Sequence, residues 1–303
     1  MANFYGQYIG FGAGGEAAIE VFQGTTYGYA SGGRTPSTSD IIQKYSFSAD
    51  ANATDVANLY AARGNGAGTQ SATYSYVASG PAPYDDMIDK HQFATTNNAT
   101  DVGNLLSGHA FAGGVSGNDG YGYNLGGDEP GTNVIQRYSF TSDGDATDVG
   151  NLTRSTYFIA ACSDWTNAYG YGVAGLDATN IIERFAFGSS SDAADVGDLA
   201  VGLDANTDAG SITHGYSMGG YSSGIKDHIQ KFAFASSASG SDIGNLFAGR
   251  YHASGTSSTT HGYSAGGTSS TDVIDKFPFA SDTDAGDVAN LLGAVTSTVG
   301  THV

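Results

Sequence analysis

The sequence predicts an all-β protein folded as a single β-propeller of six four-stranded blades. Three observations carry that expectation: one phrase recurs six times, each repeat has room for about four short strands, and no segment shows a helical stripe. The copies begin at Tyr27, Tyr74, Tyr121, Tyr169, His214 and His261, so successive starts lie 47, 47, 48, 45 and 47 residues apart. Units of that size with four strands are what a propeller blade needs, because radial repetition leaves only short, protected sheet edges. An open β-solenoid would use shorter repeats and capping units, which the sequence does not offer.

Each element of the repeat has its own signature. The first phrase, as in Tyr27-Gly28-Tyr29-Ala30-Ser31-Gly32-Gly33, is a strand with aromatics two apart, ended by glycines that permit a sharp turn. The second, as in Ile42-Gln43-Lys44-Tyr45-Ser46-Phe47, alternates apolar and polar residues and reads as another strand. The third, Asp55-Val56-Ala57-Asn58-Leu59, keeps its Asp and its Leu in all six copies. About a dozen small and polar residues follow, often with a basic one such as Arg63 or Arg250, and can hold the fourth strand.

The expected organisation is one domain over residues 1–303: N-terminal strands for ring closure in 1–26, six repeats in 27–291, and a closing strand in 292–303. Residues 10–22 resemble a shortened first and second phrase, and Val295–Val299 resembles a strand preceding a first phrase, so the two ends should meet. Six blades with the terminal strands sharing one is the first expectation; a seventh, partial blade built from both ends is the alternative.

Composition limits the function. The chain of 303 residues carries 11 Lys plus Arg against 30 Asp plus Glu, a formal charge of −19, which repels nucleic acid and anionic headgroups. Met1–Tyr8 has neither a basic nor a continuous apolar region, and no run of about 18 apolar residues occurs, so neither a Sec signal nor membrane insertion is expected. The single cysteine, Cys162, leaves packing and hydrogen bonding to hold the fold.

The double glycine after an aromatic strand, the second aromatic strand, the turn-rich third phrase and the later basic residue resemble kelch-type propeller repeats. In particular, His261-Gly262-Tyr263 through Gly267, Ile229 through Phe234 and Asp148-Val149-Gly150-Asn151-Leu152 resemble the kelch-like arrays of bacteriophage virion and tail proteins. The match spans about 27–291. It departs from cellular kelch units, with Phe-x-Phe and Asp-Val-Gly-Asn-Leu where those carry their Tyr and Trp. The resemblance implies a non-enzymatic virion structural protein of tail, fibre or decoration type, assembled in the host cytoplasm, exposed outside the cell, and contributing to host-surface adhesion. Its partners would be other virion subunits in a homo- or hetero-oligomeric assembly, a host-surface glycan, or both. The alternative is a bacterial extracellular glycan-binding lectin or surface-filament subunit.

Six of the eleven basic residues share one repeat position, and each precedes the repeated Asp by eleven residues. The pairs are Lys44 and Asp55, Lys90 and Asp101, Arg137 and Asp148, Arg184 and Asp195, Lys231 and Asp242, and Lys276 and Asp287. They are expected to form a structural ladder of ion pairs within blades. The repeated Tyr29, Tyr76, Tyr123, Tyr171, Tyr216 and Tyr263 are expected in the core. Asp143, Asp145, Asp282 and Asp284 place oxygens at alternate positions, a weak calcium pattern without the distant Glu of an EF-hand; hydrogen bonding in Asx turns is the plainer reading. No other cofactor is indicated. Gly10/Gly12/Gly15 and Gly170/Gly172/Gly175 match a dinucleotide fingerprint without the helix that such a site requires.

Contact with a partner is expected from residues that break the repeat. The connection 153–168 holds Tyr157, Phe158, Cys162 and the only tryptophan, Trp165. Arg34, Tyr84 and Glu129 stand in polar loops after glycine-ended strands. Kelch-like copper oxidases carry a Cys-linked Tyr, but no matching ligand set accompanies Cys162, so no catalytic residue is assigned.

Overall fold

A computed structural model describes residues 23–80, 85–128, 131–236, 239–268 and 271–303. Six four-stranded antiparallel sheets form the blades. From the innermost strand outward, blade 1 contains Val299–His302, Tyr27–Ser31, Ile41–Ser46 and Thr54–Asn58; blade 2 contains Ala67–Gln70, Tyr74–Gly80, Asp85–Gln92 and Thr100–Asn104. Blade 3 is Gly113–Ser116, Tyr121–Leu125, Val134–Ser139 and Thr147–Asn151, and blade 4 is Ala160–Asp164, Tyr169–Val173, Ile181–Ala186 and Ala194–Asp198. Blade 5 is Thr207–Gly210, His214–Met218, His228–Ala233 and Ser241–Asn245, and blade 6 is Ser254–Ser257, His261–Ala265, Val273–Pro278 and Gly286–Asn290.

The fourth strand of each repeat therefore becomes the inner strand of the next blade, and the ring closes when the C-terminal strand joins blade 1, pairing Gly28–Ser31 with His302–Val299. Six blades complete the circle, and the described residues form no seventh. The closing strand starts at Val299 rather than Val295, because residues 295–298 are spent crossing one end of the molecule to reach the axis. Residues 10–22, read as a second closing element, lie outside the described residues.

The blades interlock through aromatics. Each repeated Tyr is at most 2% exposed and packs on the last Phe of the following blade's second phrase, from Tyr29 on Phe93 at 4.8 Å round to Tyr263 on Phe47 at 4.7 Å. Each such pair contributes roughly 0.5–1.5 kcal/mol beyond the area it buries. Small residues admit the close approach of the inner strands: a Cβ on Gly255 would meet the Asp208 carbonyl of the neighbouring strand, and one on Gly300 would meet that of Gly255.

The ion pairs differ from the expected ladder. Each outer strand bulges at the residue after the repeated Asp, for instance between the pairs Ile42↔Ala57 and Gln43↔Asp55. Directly opposed residues share a face and adjacent ones do not, so Asp55 lies on the face of Gln43, away from Lys44. The same slip sets Asp101 opposite Asp89, Asp148 opposite Gln136, Asp195 opposite Glu183, Asp242 opposite Gln230 and Asp287 opposite Asp275. The repeated Asp residues are exposed; Asp101, Asp148 and Asp195 accept a backbone N–H two residues on, and Asp242 meets His228 at 2.7 Å.

The cations reach the following blade instead: Lys90 to Asp143 at 2.7 Å, Lys231 to Asp282 at 2.5 Å, and Lys276 to Asp50 at 2.9 Å. Lys44, Arg137 and Arg184 lie over the rings of Tyr27, Tyr121 and Tyr169 at 4.4–4.5 Å. Asp145 and Asp284 accept the backbone N–H of Asn104 and Asn245 from the preceding blade. All four carboxylates of the calcium-like pattern thus serve as latches between blades.

Candidate functional site

The site is built on the six connections that bring the chain from an outer strand to the axis. At the sixth residue after the repeated Leu stand Asn65, Phe111, Phe158, Ala205, His252 and Ser297, each with φ between 50° and 59°. That left-handed conformation, costly for a residue with a Cβ, turns the chain sharply into the inner strand. It also aligns the backbones into a closed circle. Phe111 N–H donates to Asn65 C=O, Phe158 to Phe111, Ala205 to Phe158, His252 to Ala205, Ser297 to His252, and Asn65 to Ser297, at 2.7–3.1 Å. Six hydrogen bonds thereby satisfy six donors and six acceptors around one end of the axis.

The side chains at this circle break the symmetry. Phe111 and Phe158 meet edge-on at 4.3 Å, and His252 packs on both at 5.6 and 5.1 Å. Tyr157 extends the cluster beside Phe158 at 4.9 Å, Tyr251 beside His252 at 5.0 Å, and Tyr221 beside Tyr251 at 5.9 Å. These outer rings sit on firm backbone: Tyr157 C=O accepts Leu176 N–H, Tyr251 C=O accepts Thr268 N–H, and Tyr221 and Asp204 exchange two bonds at 2.8 and 3.0 Å. Tyr221 is 43% exposed, while the other five rings are half-buried. Burial pulls the His252 imidazole down to about 4, so it is a neutral ring at physiological pH.

Charge flanks this aromatic mouth. Arg34, in the short hairpin Arg34–Thr38, borders a groove with Pro36, Asn65, Phe111, His252 and Ser297. Asp204 lies on another side, its carboxyl raised by burial and by Asp177. Below the mouth, an axial cavity of about 210 Å³ runs between the inner strands. Asp208 enters it where the other blades carry Gly68, Gly114, Ala161, Gly255 and Gly300, and burial raises its carboxyl to about 7. Aromatic faces, amides, hydroxyls and one guanidinium equip the mouth for recognition.

The structure brings Arg34, Tyr157 and Phe158 to one end and sends Trp165 to the other. Ala160–Asp164 is an inner strand that crosses the molecule, so the connection 153–168 is not one patch. Trp165 Nε1–H donates to Ser116 C=O at 2.9 Å, beside the far opening of the cavity. Cys162 is buried among Tyr171, Phe232 and Phe234, and desolvation raises its thiol well above the usual range. Tyr84 and Glu129 lie outside the described residues. The sequence reading missed Phe111, Tyr221, Tyr251, His252 and Asp208; aligning the columns after the repeated Leu would have shown large or charged residues among small ones. No protein-family model and no curated protein matches the chain, while its four-stranded antiparallel blades are consistent with a kelch-like propeller.

Proposed function

We propose that this protein is a non-enzymatic adhesion subunit of a bacteriophage virion, in its tail, fibre or decoration layer, and that it holds a host-surface glycan at the aromatic mouth. The observation that carries the adhesive part is the cluster of six rings around the axis. Rings presented on a hydrogen-bonded backbone offer flat apolar faces to a sugar at little entropic cost. The virion part rests on the resemblance of the repeats. With the −19 field around it, the mouth favours neutral or amino sugars over polyanionic ones.

The test uses Phe158→Gly. Its φ of 55° suits glycine, so the fold should keep its Tm while one face of the cluster is lost. Binding to host cells and to a neutral-glycan array should fall about tenfold or more, the loss of about 1.4 kcal/mol of contact. Binding that survives in the variant removes the mouth from the reading. Particles of the host's phages that stay unlabelled by antibody to this chain, while cell envelopes or filaments are decorated, would replace the virion reading with the lectin or filament one.

A further inference from the structure

A second surface on the same end of the propeller does not follow the fold's own needs. The residue after the repeated Leu stands at the end of each outer strand. In blades 5, 6, 1 and 2, which are contiguous through the ring closure, it is Phe247, Leu292, Tyr60 and Leu106, exposed by 65, 52, 62 and 54%. In blades 3 and 4 the same position holds Thr153 and Ala200. The four apolar residues are held firmly. Their N–H groups donate to Asp275, Gln43, Asp89 and Gln136 of the next blade at 2.8–2.9 Å.

Beside each repeated Leu, the start of the facing strand supplies the carbonyl that accepts the Leu N–H. That residue is Asp227, Asp272, Asp40 and Asp86 in the same four blades, and Asn133 and Asn180 in blades 3 and 4. The two Asn side chains donate back to the carbonyls of Leu152 and Leu199. The four carboxylates cannot donate, and they have no hydrogen-bond or ion-pair partner among the described residues. Blades 3 and 4 show that a polar or small residue and an amide satisfy the fold here. Pairing an exposed apolar side chain with a free carboxylate in four adjacent blades costs solubility and adds repulsion to an acidic chain.

We propose that this crescent over blades 5, 6, 1 and 2 is the seat of a protein partner that offers basic side chains next to apolar ones. The four side chains stand on separate sheets, so the partner meets them one after another along the arc, and an extended segment with alternating basic and apolar residues reproduces that contact. The carboxylates between them exclude an anionic membrane surface. They equally disfavour a second copy docked face to face, since an isologous contact would set carboxylate on carboxylate. The arc leaves the sector of Tyr157 uncovered, so the inference does not rest on the glycan reading.

The full-length chain would be titrated with two synthetic peptides, one alternating Arg and Leu, the other Glu and Leu, following backbone amide resonances. The Arg/Leu peptide should shift the amides of Tyr60, Leu106, Phe247 and Leu292 and leave those of Thr153 and Ala200 in place. Its affinity should drop at least tenfold in the quadruple variant Tyr60→Ser, Leu106→Ser, Phe247→Ser, Leu292→Ser. It should drop again with rising salt, and also in the separate variant Asp40→Asn, Asp86→Asn, Asp227→Asn, Asp272→Asn, which retains the exposed apolar residues. Equal shifts in all six blades, equal binding of the Glu/Leu peptide, or affinity unchanged in both variants would overturn the proposal. So would a wild-type dimer in sedimentation that the serine variant dissolves, which would make the occupant a second copy.

Discussion

Replacing Arg250 by Leu should destabilise the protein by about 3–5 kcal/mol, and replacing Asp275 by Gln in the same chain should recover most of that loss. Arg250 and Asp275 are 1 and 0% exposed and meet at 2.9 Å in the seam between blades 5 and 6. Asp275 also accepts Phe247 N–H, and Arg250 donates to the carbonyls of Val273 and Gly266. Even beside Arg250, burial holds the Asp275 carboxyl above its usual range, with Asp287 adding repulsion. Without the guanidinium, a buried charge keeps one N–H and no counter-ion. The double variant copies a seam the protein already has. Between blades 4 and 5 the same places hold Leu203, fully buried, and Gln230, whose Oε1 accepts Val201 N–H at 2.8 Å. A residual cost of about 1 kcal/mol remains for the carbonyls that lose Arg donors. Urea denaturation at pH 7.5 measures all three chains; the single variant should also lose roughly 10 °C in Tm. Its deficit should shrink as the pH falls, because burial raises the Asp275 carboxyl and a proton on it removes the unpaired charge. A double variant as unstable as the single one, or a single variant within 1 kcal/mol of wild type, would refute the reasoning.

Two further outcomes are expected. The Asp208 carboxyl is raised to about 7 in the folded protein, so its contribution to stability is fully present below pH 4 and is lost as pH rises through 7. Asp208→Asn should therefore gain on the order of 4 kcal/mol over wild type between pH 4 and 8; Tm curves that run parallel across that range would contradict the burial argument. Deleting Val299–Val303 removes the strand paired with Gly28–Ser31 and the Val303 carbonyl that accepts N–H groups from Thr25 to Tyr27. Unfolding should become non-cooperative, and a peptide of residues 295–303 added in trans should restore a single transition. An unchanged Tm in the truncated chain would mean the ring does not depend on this closure.

The blades were legible because strand signals repeat in phase. Alternation in Ile42–Phe47 and the fixed Asp and Leu of the third phrase locate the strands Ile41–Ser46 and Thr54–Asn58 to within a residue. The core role of the repeated tyrosines followed from the same regularity. The ion pairs were not legible, since an extra residue at a bulge reverses which face a side chain occupies, and nothing in Asp55-Val56-Ala57 announces a bulge. The mouth was only partly legible. Asn65, Phe111, Phe158, Ala205, His252 and Ser297 share a backbone conformation but no residue type, so their common place appears only when the repeats are aligned. Tyr157 and Phe158 were found because they lie in an irregular connection, and Trp165 was wrongly joined to them because an inner strand inside that connection gives no strong signal of its own.

Symmetry separates the devices that hold the ring from those that face a partner. The acceptor for the N–H at the end of the preceding blade alternates around the circle as Gln43, Asp89, Gln136, Glu183, Gln230 and Asp275. Each acidic member has an arginine from the preceding connection, Arg63 and Arg250 four residues after the repeated Leu and Arg154 two residues after it, and in the Gln seams the fourth residue is His109, Leu203 or Val295. The alternation of acceptors has a period of two blades, closes without a break, and leaves each acid of the seams with a cation. It is therefore a property of the seams. The exposed apolar residues and free carboxylates follow no such period: they fill four adjacent blades and stop. A structural requirement at a seam must be met at every seam, and blades 3 and 4 meet theirs without either group. The contiguous pattern thus answers to something outside the ring, and the quadruple variants test it without touching the alternating seams.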